Sequence, residues 1–347
     1  MRRLLSLVCA TALSACSGAA TASHTDMLPM SASTQETTQS VQTLAGLPAT
    51  IWNIQTGAST VSYAVQDLDF LPRAITVDAG DSIKYRLASG NGGDAHTISF
   101  VPPGQKIPLP SDPQNLVPAG GTTIDGTKFV NSGILVGGQT FTLHFPKAGT
   151  YRILCLFHEP AMVSTVVVQK PGTPYPHDAA FYHRVGEQDE WKDFREAFGS
   201  VASFPFTNGG TTLAAGIAPG LVRFPPIDST VLRFLTTSDT SNLAAEGSLT
   251  VKVGTVLTWV NETSNEPHTI TFALAGQTSL PNIPPDPAVN VVPPPGVTTF
   301  DGTHIVNSGT IIGGQPFRLK FTKAGSFFYG CLYHDNSRMT GTITVTP

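Results

Sequence analysis

Charge is scarce in this chain. Lys, Arg, Asp and Glu make up only 13% of its 347 residues, and the formal net charge is −4. No stretch is basic, which argues against nucleic acid as a partner. With so few charges, the surface must rely on Ser, Thr, Asn and Gln. Long apolar runs are missing too. The longest near the N-terminus, Leu4 to Leu13, is too short to span a bilayer. Cysteine is rare: Cys9, Cys16, Cys155 and Cys331 are the full set. What the chain has in quantity is glycine and proline, 33 and 28 residues, a composition that favours a turn-rich β protein over a helical one.

The N-terminus has the form of a targeting segment. Arg2 and Arg3 provide a charged head, the apolar run follows, and it ends in Leu13-Ser14-Ala15-Cys16. This ending looks like a bacterial lipobox, with residues 1–15 as signal peptide and Cys16 as the lipidated first residue of the mature chain. The reading implies export, and a lipid anchor on a bacterial membrane facing the periplasm or the cell surface. Residues 16–45 are rich in Ser, Thr, Ala and Gln and lack Lys and Arg, as expected of a flexible tether with a reach of about 30 Å. Cys9 leaves with the signal and Cys16 carries lipid, so Cys155 and Cys331 remain for the folded body.

That body is written twice. GTTIDGTKFVNSGILVGGQTFTLHFPKAGTYRILCLFH, from Gly121 to His158, aligns without a gap with VTTFDGTHIVNSGTIIGGQPFRLKFTKAGSFFYGCLYH, from Val297 to His334. Upstream, AHTISF at His96 corresponds to PHTITF at His268. A repeat this long is a duplicated domain rather than a solenoid unit. Each copy reads as strands: Phe141, Leu143 and Phe145 alternate with polar residues, as do Phe317, Leu319 and Phe321. Short strands between Gly/Pro turns predict an all-β protein with one β-sandwich over residues 46–170 and a second over 211–347. Residues 171–210 form a connector in which Glu187 to Phe198 has the pattern of one short helix.

Each copy also carries the same four donor types. The first has His96, Cys155, His158 and Met162; the second has His268, Cys331, His334 and Met339. Soft sulfur with two imidazoles suits copper, and a His₂Cys set with a weak axial Met is the blue-copper arrangement. Zinc more often takes four strong ligands, and a thioether is a poor one for it. The expected cofactor is copper, two ions, one per domain. Cys, His and Met come from one tight loop and the remaining His from another strand, so the sandwich fixes the site before metal arrives.

AHTISF or PHTITF, followed by AGTYRILCLFH or AGSFFYGCLYH and then Met, resembles the cupredoxins of the plastocyanin and azurin type. The resemblance implies a Greek-key sandwich of eight strands per domain and one-electron transfer by a type 1 copper, between a donor and an acceptor redox protein. It further implies electron exit through an exposed edge of His158 or His334, with Phe157, Ala161, Leu332 and Tyr333 as an apolar rim. The second copy, C-x₂-H-x₄-M, is closer to the plastocyanin pattern. The first is one residue shorter, with Pro160 inside the loop and Ser164 where the other has Gly341. That predicts two copper sites that are not equivalent. Thr97 and Thr269 stand where many family members carry Asn.

Three other readings compete. A copper oxidase or nitrite-reductase-like enzyme would add an interface copper, but no His-x-His occurs and neither Cys is flanked by His. A copper storage or delivery protein would use the same donors, and Met27 and Met30 in the tether point faintly that way. A Cys155–Cys331 disulfide would leave both neighbouring histidines idle. No catalytic residue is expected.

Overall fold

A computed structural model describes residues 40–42, 48–60, 64–88, 95–109, 112–159, 161–203, 211–217, 229–236, 247–263, 266–280, 296–334 and 339–347. The signal, the tether and the lipidation candidate Cys16 lie outside the described residues.

Among the described residues the architecture is mostly β with one α-helix, as the composition and patterning predict. One ten-stranded sheet runs through both repeats. In its first half the strands Val65–Leu71, Pro48–Thr60, Ser82–Leu87 and Thr140–His144 lie side by side, with Ser40–Gln42 also paired to Pro48–Thr60; in its second half, Ser229–Leu235, Thr212–Ile217, Val256–Glu262, Pro316–Phe321 and Thr298–Phe300. The halves join where Val65–Leu71 pairs antiparallel with Ser229–Leu235, Val65 opposite Val231 and Asp67 opposite Ser229. Each repeat adds its own second sheet. The first orders Ala74–Asp78, Val163–Gln169, Gly149–Leu154, Ser99–Phe100, Val130–Ser132 and Pro118–Ala119. The second follows the same plan with Leu249–Lys252, Thr340–Thr346, Gly325–Gly330, Thr271–Phe272 and Val306–Asn307.

Burial follows the pleat. Along Pro316–Phe321 every second side chain is buried, the pattern of a strand with one face on a core and one in water. Val65–Leu71 and Ser229–Leu235 are buried at every position instead. They are the two strands at the seam, covered on both faces, and period-2 patterning fades in such strands. Separate cores fill the two sandwiches: Phe70, Tyr85, Phe145 and Ile153 in the first, Trp259, Phe272, Phe317 and Tyr329 in the second. A third cluster sits at the seam and draws on both halves and the helix, with Val65, Leu71, Phe194, Ala197, Val231 and Leu235.

The connector helix is longer than the sequence predicts. It spans Ala179–Ser203, 25 residues, against the predicted Glu187–Phe198. Asp178 caps its start, its carboxylate accepting the Phe181 N–H at 2.7 Å. Arg73, in the bend just after the seam strand, donates to both Asp193 carboxylate oxygens at 2.7 Å and ties the helix to that bend. At Gly186 an added Cβ would lie 3.1 Å from the Leu71 carbonyl carbon; a bare backbone there lets the helix approach the strand closely. Three aromatic and histidine residues around the helix hold it to its surroundings, while His183 stays exposed beside Glu187. Tyr182 accepts the Thr76 N–H at 3.0 Å, Tyr175 donates to Asp81 at 2.9 Å, and His177 stacks on Phe181.

Candidate metal centres

The sheet geometry brings His96, Cys155 and His158 into one buried group, and His268, Cys331 and His334 into another. His96 is held in an isolated bridge with Leu135, its N–H donating to the Leu135 carbonyl at 3.0 Å. His268 has the same relation to Ile311, also at 3.0 Å. Cys155 and Cys331 follow the last residue of their strands, Gly149–Leu154 and Gly325–Gly330. Each opens a loop that closes by a bond from the Cys N–H to the carbonyl of the loop methionine, Met162 at 3.1 Å and Met339 at 2.9 Å. Both methionines are fully buried and donate their own N–H back to the loop histidine carbonyl. Residues 335–338 of the second loop, and Pro160 of the first, lie outside the described residues.

The donor atoms form a small triangle in each half. In the first, His96 Nδ1 lies 3.1 Å from His158 Nδ1, and Cys155 Sγ lies 3.4 Å from His158 Nδ1 and 3.9 Å from His96 Nδ1. In the second, the corresponding distances are 3.2, 3.4 and 3.9 Å. A triangle with these edges has a centre about 2.0 Å from each corner. That is the reach of a metal–imidazole bond, ~2.0–2.1 Å, and slightly inside that of a metal–thiolate bond, ~2.3 Å. The two donor sets therefore fit two copper ions, and soft sulfur with imidazole is the donor chemistry copper takes. The missing residue of the first loop leaves its triangle the same within 0.1 Å. Cys155 and Cys331 are both free, each facing its own histidines, so they do not pair as a disulfide.

Electrostatics prepare the sulfur for metal. Burial pushes the Cys155 thiol up, but His158 and His96 together outweigh it and hold the thiol well below its usual range. Burial likewise pushes the Cys331 thiol up, and His334 with His268 brings it down to about 5. Burial lowers His158 and His334, yet each is held well above the imidazole range by its cysteine and by Glu266. A thiolate and not a thiol is the ligand form, so the lowering favours the form of the sulfur that binds metal.

Thr97 and Thr269 brace the sulfur. Their N–H groups donate to Cys155 Sγ at 3.4 Å and Cys331 Sγ at 3.3 Å. Their hydroxyls accept the N–H of Leu156 and Leu332, each at 2.8 Å, just past the cysteine. Threonine thus fastens the ligand loop to the histidine strand. Thr97→Val should cost about 1–3 kcal/mol of stability in the metal-free protein, because the buried Leu156 N–H loses its acceptor. Thr97→Ser should be nearly neutral. Urea denaturation reads both, and a valine variant as stable as wild type would refute the role.

Three residues at the centres escaped the sequence reading. Gly57 and Gly216 occupy β-bulges of matching strands, with φ of 65° and 70°. A Cβ on Gly57 would lie 2.8 Å from His96 Nε2, and one on Gly216 2.5 Å from His268 Nε2. The back of each early histidine rests on bare backbone. The third is Glu266, buried between the halves. Its Oε1 accepts from His334 Nε2 at 2.8 Å, and its Oε2 lies 3.2 Å from His158 Nε2. Its carboxyl would be raised by burial but is held far below the carboxylate range by the two histidines.

This arrangement corrects one expectation. His158 and His334 do not offer an exposed edge; each is 3% exposed. Ala161 and Leu332 of the expected rim are buried, and Phe157 and Tyr333 half-buried. His158 meets Glu266 of the other repeat, while His334 meets the same carboxylate from within its own repeat. The remaining histidines stay apart: His144 contacts Ser82 at 3.3 Å and His304 is exposed beside Asp301. Glu159 is paired with Arg152 at 2.6 Å.

Residues 58–169 match the family of copper binding proteins of the plastocyanin/azurin type. Among solved structures, amicyanin from Paracoccus versutus is 18% identical over 38% of this chain and 92% of its own, with a TM-score of 0.24. A purple cupredoxin from Nitrosopumilus maritimus is 18% identical over 39% of this chain and 99% of its own, with a TM-score of 0.23. No match is found among curated proteins.

Proposed function

We propose that the protein is a copper-dependent one-electron carrier with a type 1 copper in each half. The observation that carries this reading is the pair of buried His₂Cys triangles, each closed by a loop that ends in a buried Met. When bound, copper supplies the one-electron couple. The chain's part is to hold the donors fixed. The bridge at His96 or His268, the Cys-to-Met backbone bond and the threonine brace all act without metal. A site set by the fold needs little rearrangement between copper oxidation states, and that suits electron transfer better than bond-making chemistry. The family match over residues 58–169 supports the reading for the first half, and the internal repeat extends it to the second.

We take the protein to be exported, anchored through lipid on Cys16, and active at the periplasmic or outer face of a bacterial membrane. Its partners are a redox protein that donates electrons and another that accepts them. An enzymatic reading would need a further metal at a domain interface. Among the described residues, only the two groups above bring three His, Cys, Asp or Glu donors together.

Copper content and visible absorption of the purified body test the proposal. The expected result is two coppers with an intense thiolate-to-copper band. A third copper, or turnover of nitrite or oxygen, would replace the carrier with an enzyme. A colourless protein that takes only Cu(I) would point to storage or delivery.

A further inference from the structure

The two donor sets meet at one carboxylate. With metal on the Nδ1 atoms, the outer Nε2 of His158 and of His334 is the nitrogen left to carry a proton, and both turn toward Glu266. One oxygen serves each ring, at 3.2 and 2.8 Å. The carboxylate is 4% exposed, so water screens it weakly from either site. Its backbone is fixed independently of the side chain: the Glu266 carbonyl accepts from Asn261 Nδ2 and Thr263 Oγ1, each at 2.8 Å. The placement is built in, since Glu266 stands two residues before the ligand His268 and reaches across to the ligand loop of the other repeat.

We infer that Glu266 is a positioning residue shared by both copper centres, which orients His158 and His334 and couples the redox state of one centre to that of the other. This rests on the electron-carrier reading. Charge gives the physical reason. Cys155 and Cys331 bring two thiolates to the buried pair, and Glu266 adds a third negative charge between them. Three negative charges are balanced when the two copper ions together carry three positive ones. That is the half-reduced pair, one Cu(I) and one Cu(II). Uncompensated charge in a buried site is costly, so the shared carboxylate favours the half-reduced pair over the fully reduced one. A residue serving a single centre would tune only that centre. The carboxylate is in contact with both loop histidines, so its charge is felt at both.

The test is a spectroelectrochemical titration of the copper-loaded protein, comparing wild type with Glu266→Gln and Glu266→Asp. Glutamine keeps the shape and removes the charge, so both midpoint potentials should rise together. Aspartate keeps the charge, so its potentials should stay nearer wild type even if its shorter stem loosens the rings. Circular dichroism and copper content confirm that each variant folds and loads. Two blue coppers of which Gln moves one potential, or neither, would overturn the shared role while leaving the carrier reading intact. A wild-type protein that holds fewer than two coppers would overturn both.

Discussion

Cys331→Ser should yield a folded protein that holds one copper instead of two and keeps about half of the thiolate-to-copper absorption. Cys155→Ser should give the complementary result, and the double variant should be colourless. The band arises from sulfur, and a serine hydroxyl supplies neither a soft donor nor a readily ionised one. The loss should stay local because the loop does not depend on the sulfur for its shape. Its closure runs through the Cys331 N–H to the Met339 carbonyl at 2.9 Å and the Met339 N–H to the His334 carbonyl at 3.1 Å. Serine preserves both bonds. The change also removes one of the two partners that hold His334 above the imidazole range, leaving Glu266 as the other. Copper analysis and the optical spectrum read the outcome. A Cys331→Ser protein that keeps the full band, or loses all of it, would refute two separate thiolate centres.

Much of this site was open to sequence reading, for a definite reason. A lone Cys-x-x-His carries little information, but His, Cys, His and Met recur in order in both copies, and coincidence rarely repeats itself at matched positions. Strand patterning was legible wherever a strand has one dry face, as in Pro316–Phe321. It fails at the seam, where Val65–Leu71 and Ser229–Leu235 are buried throughout and show no alternation. The helix was recognised only in its charged middle. Its first turns, FYHRVG, and its last, FGSVAS, carry aromatics, glycine and β-branched residues that weaken local propensity; packing on the seam extends it. The burial of His158 could not be read from its own copy, because the residue that faces it, Glu266, belongs to the other. Glu266 was hidden for the same cause. Its counterpart in the repeat is Asp94, outside the described residues, and an acid two positions before a histidine has no meaning until the facing loop is in place.

The bulge glycines mark the limit of motif reading, and they carry the other large prediction. Gly216→Ala should abolish or grossly weaken the second copper centre. The added Cβ would fall 2.5 Å from His268 Nε2 and 2.7 Å from Thr263 Cγ2, closer than carbon packs against either. Thr263 is held on one side by Asn261, whose Oδ1 accepts its N–H at 2.9 Å and lies 2.6 Å from its hydroxyl. The imidazole is then the group that must move. His268 Nδ1 sits 3.2 Å from His334 Nδ1 and 3.9 Å from Cys331 Sγ, so a displaced ring opens the triangle that metal requires. Alanine at φ of 70° adds about 1–2 kcal/mol of backbone strain. Gly314→Ala separates the two effects: its φ is 77°, but a Cβ there meets nothing within 4 Å. That control should lose a similar amount of stability in denaturation and keep both coppers. Gly57→Ala should repeat the result at the first centre through His96, with a contact of 2.8 Å. If Gly216→Ala retains two coppers with unaltered absorption, the glycine is there only for the bulge, and His268 is held by other means.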